Sequence, residues 1–462
     1  MKNQLSRRDF LKMAGLFAAG GVLAACGGAP APTQTTTQAT SEVAPVETAP
    51  QRKDVTLTVL NIWGGSRVPL MEDMFQRFTE KHPWIKVENI LVPGGERLQK
   101  IQTSIAGGTP PDVPMIGQAE IPMFALRKAL IALDGYMAQD GVAYDAYYDY
   151  AIEASQWQGQ TYSLPNVSAA YHLYFYNVPA FEEAGLDPDN PPKTWDEFTV
   201  ASVKLNKVED GRIQRLGYQF YHGLPNLHDF NQALVSNNGQ FFSNDGRTAM
   251  FNSAEGLAAL NWCMDTMKAV YGSIDTYQDW GAIQGAEDIS NPFIAETLAA
   301  KYGGVWEVFF IKEGNPDLNY KLGQLPHSPT GKSHAPAIGS WSYGIPIGAA
   351  SPDDSWELVE WLCHEPSAAG WFMQQQGRPS PLKAVNEDRF YYNEFPGTWP
   401  AILEMVENAV RIPITPASTE VDRVVGQALE EVAYGTRQPQ EALEWAATEA
   451  QALLDEAWAQ VW

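Results

Sequence analysis

Between residues 55 and 116 two hydrophobic periods alternate, and that alternation confines the chain to a few folds. Val55-Thr56-Leu57-Thr58-Val59-Leu60 is a β-branched apolar run closed by Trp63-Gly64-Gly65-Ser66, which reads as a buried strand followed by a loop. Val68 to Lys81 then places Leu70, Met74, Phe75 and Phe78 on one helical face, and His82-Pro83 stops it before a second strand, Ile85 to Leu91. A helix over Arg97 to Ala106 ends at Gly107-Gly108, and Asp112-Val113-Pro114-Met115-Ile116 supplies another strand. Strand, helix and strand at this spacing make a βαβ unit. Such alternation predicts an α/β architecture with a parallel sheet and binding loops at the carboxyl ends of the strands.

Farther along, Pro192-Lys193-Thr194-Trp195-Asp196-Glu197-Phe198 carries a capping box, in which Thr194 accepts from the Glu197 N–H while Glu197 reaches back to Thr194. Pro439 to Trp462, with Leu443, Ala447, Ala450 and Leu454 in helical register, reads as a C-terminal helix docked on a domain. A folded body of roughly 410 residues exceeds one comfortable core, which predicts two domains.

Ahead of that body stand Ser6-Arg7-Arg8-Asp9-Phe10-Leu11-Lys12, a small-residue-rich apolar run from Met13, and Leu23-Ala24-Ala25-Cys26. The run is too short for a hydrocarbon core that needs roughly 20 apolar residues, so it reads as the apolar region of an export signal. Arg7-Arg8 with Phe10-Leu11-Lys12 resembles a twin-arginine signal, and Leu-Ala-Ala-Cys resembles a lipobox cleaved before its cysteine. Residues 1–25 are therefore expected to be a signal peptide and Cys26 a lipid acceptor. Residues 26–53, built of Gly, Ala, Pro, Thr, Gln and Ser, bury too little to fold and form a flexible tether. Such a coil spans about 25–30 Å. The expected location is the outer face of a cytoplasmic membrane.

The formal charge of −24 falls to about −27 once the signal is removed, which argues against nucleic acid and anionic lipid surfaces as partners. Cys263 and Cys363 sit in apolar helical contexts and read as buried thiols, and no CxxC occurs.

Three segments resemble the extracellular solute-binding proteins of ABC importers, in the group that includes sugar- and maltodextrin-binding proteins. Ala106-Gly107-Gly108-Thr109-Pro110-Pro111-Asp112-Val113 is similar to the family's AxGTPPDV element. Gln158 to Pro165, Tyr174-Phe175-Tyr176-Asn177, Phe181 to Pro188 and Pro192 to Phe198 resemble its long central signature. Gly303-Gly304-Val305-Trp306, Leu325-Pro326 and Gly377-Arg378-Pro379-Ser380-Pro381 match later landmarks. Gly159-Gln160 and Asn177-Val178 depart from the usual Gly-Lys and Asn-Lys and touch no proposed site residue.

The resemblance implies a two-lobed periplasmic-binding-protein-like fold of type II, each lobe a mostly parallel sheet flanked by helices, with a hinged cleft between them. Lobe I is expected over 54–165 plus 340–400 and lobe II over 172–335 plus 404–462. Crossings fall near Leu164 to Tyr171, Ala335 to Trp341 and Pro400 to Glu404. It also implies a monomer that captures a sugar or oligosaccharide and delivers it to permease subunits.

Sugars present hydroxyl edges and apolar faces, so their sites pair aromatic platforms with planar polar side chains, and this chain has 15 Trp. Trp63, Gly65 and Ser66 follow the first strand in a loop facing the cleft; the alternative packs Trp63 on the first helix. Gln118 and Glu120 follow the strand ending at Ile116, or are ordinary polar residues at a helix start. Tyr171, His172 and Tyr174 adjoin the first crossing. His228 and Asp229 close a polar aromatic loop from Tyr221 and match the family position where a loop reaches a sugar, or else lie on a solvated loop. Trp306 occupies the place of the family's stacking tryptophan, with a core position as the other reading. Trp341 and Tyr343 stand at a crossing and cap the ligand. Arg378 offers bidentate bonds to hydroxyls or a carboxylate, or pins its loop to an acid.

His222 and His228, six residues apart without clustered partners, do not make a zinc site. No GxSxG, HExxH, Walker loop or GxGxxG is present, so no enzyme, cofactor or metal is expected. The competing readings are an exported glycoside hydrolase, whose cleft also carries Trp and carboxylates, and the same fold binding a polyol, a glycerol phosphate or a peptide.

Overall fold

The computed structural model describes residues 52–461 apart from 169, 171, 222, 283, 285–287, 338 and 339. In chain order the elements used below are β1 (Val55–Asn61), α1 (Val68–Lys81), β2 (Ile85–Leu91), α2 (Gly94–Ala106), β3 (Val113–Gly117), β4 (Leu164–Pro165), β5 (His172–Asn177), α3 (Trp195–Lys204), α4 (Leu227–Ser236), α5 (Ala254–Tyr271), β6 (Ala300–Gly304), α6 (Glu307–Gly314), β7 (Tyr320–Gly323), β8 (Ala335–Ala337), β9 (Trp341–Tyr343), α7 (Pro352–Cys363), α8 (Trp399–Glu407), β10 (Ala409–Arg411), α9 (Ser418–Ala433) and α10 (Pro439–Trp458).

The N-terminal βαβ unit forms as its periodicity dictates. The α1 face buries Met71, Met74, Phe75 and Phe78, while Leu70, expected on that face, packs at its margin. β1 and β2 pair in parallel from Val55–Ile85 to Asn61–Leu91, and β1 also pairs in parallel with β3. The first sheet is completed by β9, which runs antiparallel between β3 and β4, giving the order β2-β1-β3-β9-β4.

A second sheet has the order β6-β5-β7, and β5 is antiparallel to both neighbours. A mostly parallel sheet was expected here, and the topology gives the reason it is not one. β6, α6 and β7 form a crossover whose two strands run the same way, but the earlier strand β5 is inserted between them in the opposite sense. Parallel bridges at Leu216–Leu298 and Gln219–Lys301 extend this sheet. The architecture is thus two-lobed α/β with one reversed strand inserted into each parallel framework.

β8 and β10 pair in parallel, Ala335 to Ala409, apart from both sheets. Pro400 to Glu404, the stretch expected to make the third crossing, lies inside α8, which packs on β5 and β7. An apolar face at Trp399, Ile402, Met405 and Val406 makes that stretch helical, and the extended segment begins only at Ala409.

Local signals also hold. Thr194 Oγ1 accepts from Glu197 N at 3.4 Å, and Glu197 Oε2 accepts from Thr194 N at 3.1 Å, so the α3 capping box closes. Glu197 Oε2 also accepts from Lys193 N at 3.0 Å, and these backbone donors, Lys193 and then Thr194, hold its carboxyl below the usual range. α10 ends at Trp458 rather than at Trp462, with Ala442, Leu443, Ala446, Ala450 and Leu454 buried. Cys263 and Cys363 are buried free thiols. Where the described chain begins, the Arg52 guanidinium lies 4.6 Å from the Trp84 ring centre and 3.3 Å from Glu357 of α7. Trp84 in turn donates to Asp354 of α7 at 3.1 Å. Among the described residues no helix is long and apolar enough to cross a membrane.

Candidate functional site

A cavity of about 400 Å³ opens where the loops of both sheets meet. The first sheet contributes Gly117 to Glu120, beyond the carboxyl end of β3, together with Ser340 and Trp341 at the start of β9. The second contributes Tyr221, His228 and Asn231 around the start of α4, and Trp306 just after β6. Arg378 and the N-terminal turn of α9 complete the wall.

Trp306 is held by backbone geometry. A Cβ on Gly304 would meet three atoms of the Trp306 ring at 2.2 to 2.4 Å, so the indole rests directly on a glycine. Its flank is aromatic, with His172 at 5.7 Å and Tyr221 at 6.3 Å between ring centres. His172, at the start of β5, also touches Tyr221, Tyr302 and His228 at 4.8, 4.8 and 5.2 Å. The buried Arg378 guanidinium sits 5.5 Å from Trp306 and 5.3 Å from Trp63, a cation between two indole faces.

Two expected contacts are spent on structure. Gln118 takes the Ser340 N–H at 2.8 Å on Oε1 and donates from Nε2 to Ala151 O and Ser155 Oγ at 2.7 and 2.9 Å. Its amide therefore clamps the chain where it re-enters the first sheet. Glu120 pairs with Arg97 and also accepts from Gly117 N at 3.1 Å, while Arg97 donates to Met115 O at 2.9 Å and lies 4.8 Å from the Trp341 ring. Both residues border the cavity, with their polar atoms already committed.

Trp341, His228, Trp306 and Arg378 border the cavity. Other residues lie elsewhere. Trp63 is in the core, 5.4 Å from Phe372 and under Arg378. Gly65 and Ser66 form a helical turn leading into α1, where Gly65 takes a left-handed φ of 61°, and neither borders the cavity. Tyr174 is two residues deeper along β5 than His172, about 6.6 Å at strand rise, and packs on Tyr176 and Phe198. Tyr343 is buried one pleat into β9 from Trp341. Asp229 caps α4 through Tyr221 N and Asn226 N, each at 3.0 Å, and burial pushes its carboxyl up to about 8 against those donors. α4 accordingly begins at Leu227, so His228 and Asp229 lie in its first turn and not in a loop. Tyr171, His222 and Cys26 lie outside the described residues.

Sequence reasoning missed Asn231, Phe241, Phe242, Ser340, Ile412 to Ile414 and Asp422, all of which border the cavity. The usable signal was in α4, where Asn231 and Gln232 stand within a run buried on every side, an unusual place for amides. Asp422 merely flanks the apolar stripe of α9, as acids on amphipathic helices commonly do.

Residues 64–366 match the family model described as bacterial extracellular solute-binding protein. A putative binding protein of Brucella abortus is 25% identical over 407 residues, covering 87% of this chain and 93% of the relative. The sn-glycerol-3-phosphate-binding periplasmic protein of Pectobacterium atrosepticum is 24% identical over 409 residues, covering 83% and 88%. An ABC transporter solute-binding protein from Thermotoga lettingae, bound with α-D-tagatose, superposes with a TM-score of 0.74 at 25% identity, covering 87% of this chain and all of that one. With a matched model that takes in every strand of both sheets except β1, and a cavity at their meeting loops, this chain belongs to the bacterial extracellular solute-binding proteins.

Proposed function

We propose that the protein is the solute-capturing subunit of an ABC importer and that its cavity receives a sugar or oligosaccharide for delivery to a permease. The observation that carries the reading is the pairing of a glycine-seated indole, Trp306, with Trp341 from the other sheet across a cavity edged by amide, hydroxyl and guanidinium groups. Aromatic faces suit sugar C–H surfaces and the polar rim suits hydroxyls. The tagatose complex of the Thermotoga relative supports the same class. A phosphorylated solute fits less well, because Arg97 is paired with Glu120 and, among the described residues, Arg378 is the single Lys or Arg that borders the cavity.

Lobe I would comprise 54–165 with 340–400 and lobe II 172–335 with 404–462, hinged at 165–171, at 335–341 and, in place of 400–404, at 409–414 beside β8. The ligand stabilises the closed form through its differential affinity for it. In a thermal-shift screen of mono- and oligosaccharides, a ligand at 100 times its dissociation constant should add about 2.7 kcal/mol to stability. Absence of any shift, or cleavage of the glycan, would overturn the carbohydrate-capture reading.

We also propose that the monomer is tethered by lipid on Cys26 through residues 27–51, up to the point where Arg52 packs on Trp84, after export directed by Arg7-Arg8. The motifs at 6–12 and 23–26 support this. Cys26→Ser should move the protein from the membrane pellet to the supernatant; persistence in the pellet would refute the anchor.

A further inference from the structure

The cavity holds two acceptors that its own walls do not satisfy. Asn231, only 4% exposed, borders it with an Oδ1 that has no hydrogen-bond partner among the described residues. Asp422, on the second turn of α9, also borders it, and α4 and α9 pack together. No described side chain forms an ion pair with Asp422, whereas the other bordering acid, Glu120, has Arg97. By exposed area Asp422 is half-buried, since it opens into the cavity, but protein surrounds it on its other sides. Burial and then the neighbouring Glu420 push its carboxyl up to about 7, and no cation among the described residues pulls it back.

A neutral ligand closing over this carboxyl would strip its water and leave the charge uncompensated, which is the costly arrangement for an ion. A cation would compensate it, and the strongly acidic chain draws cations toward its surface. Phe241, Phe242 and Tyr221 also border the cavity, and aromatic rings favour a positive group over a second anion. Arg378 does not occupy this role, being held between Trp63 and Trp306.

We propose that the captured carbohydrate is aminated, its ammonium group received by Asp422 and Asn231. The inference rests on the carbohydrate reading above. Isothermal titration of the mature protein at pH 7.5 with neutral disaccharides and their 2-amino-2-deoxy and 6-amino-6-deoxy counterparts tests it. At least one aminated compound should bind ~10-fold or more tightly than its parent. Asp422→Asn should abolish that advantage, weakening the amine and, by removing the uncompensated carboxylate, tightening the neutral parent. Asn231→Asp, which adds a second carboxylate, should enlarge the advantage and provides an independent readout if the first variant folds poorly. Parents binding as well as their amines, or an advantage that survives Asp422→Asn or fails to grow in Asn231→Asp, would overturn the amine assignment and leave carbohydrate capture standing. Binding of neither series would overturn both.

Discussion

Trp306→Ala is expected to raise the dissociation constant of the captured sugar about 100-fold, equivalent to about 2.7 kcal/mol, while moving the apo melting temperature by no more than a few degrees. The asymmetry follows from position. Trp306 is half-buried at the lip of α6, with one flank against His172 and Tyr221 and its ring over Gly304. Its loss removes a platform without opening the deep core. Gly304→Ala provides a companion measurement that keeps the tryptophan: the new Cβ would meet the far end of the ring at 2.2 Å and swing it away. Binding should therefore weaken in both variants. A large fall in apo stability for Trp306→Ala, with ligand affinity preserved, would return the residue to a packing role.

Glu120→Gln should cost about 3–5 kcal/mol of folding stability, read from the shift of the urea midpoint. Arg97 is 2% exposed, and its remaining partners are the Met115 carbonyl and the face of Trp341. Without the carboxylate its charge is buried and uncompensated. The double variant Arg97→Met/Glu120→Leu should recover much of the loss, because it removes both desolvated charges together. If Glu120→Gln left the midpoint in place and only weakened sugar binding, Glu120 would be a ligand contact and not a strut beneath Trp341.

These residues show what the chain disclosed before folding and what it withheld. The βαβ unit was legible because both of its periods are local: α1 and β2 have the bounds expected from Val68 to Lys81 and Ile85 to Leu91. Trp306, Trp341, His228 and Arg378 were legible as cavity residues because each follows a glycine, a strand end or a helix start. Gln118 and Glu120 were placed at the right strand end, but their partners, Ser340 and Arg97, are 222 and 23 residues away in sequence, and no local pattern announces such a pairing. The reversed sense of β5 and β9 was hidden for the same reason, since strand direction is decided by the return path. Asp422 was invisible because only tertiary packing distinguishes an acid facing a cavity from one facing water.

The clamp at Arg52 has a mechanical consequence. Its guanidinium grips Trp84, just ahead of β2, and Glu357 of α7. A pull arriving along the preceding chain is therefore delivered into the framework of the first sheet, at the end of β1 remote from the cavity. The second sheet carries none of that load directly. Were the segment before Arg52 to act as the proposed tether, its drag would fall on the first sheet and not on the loops that edge the cavity.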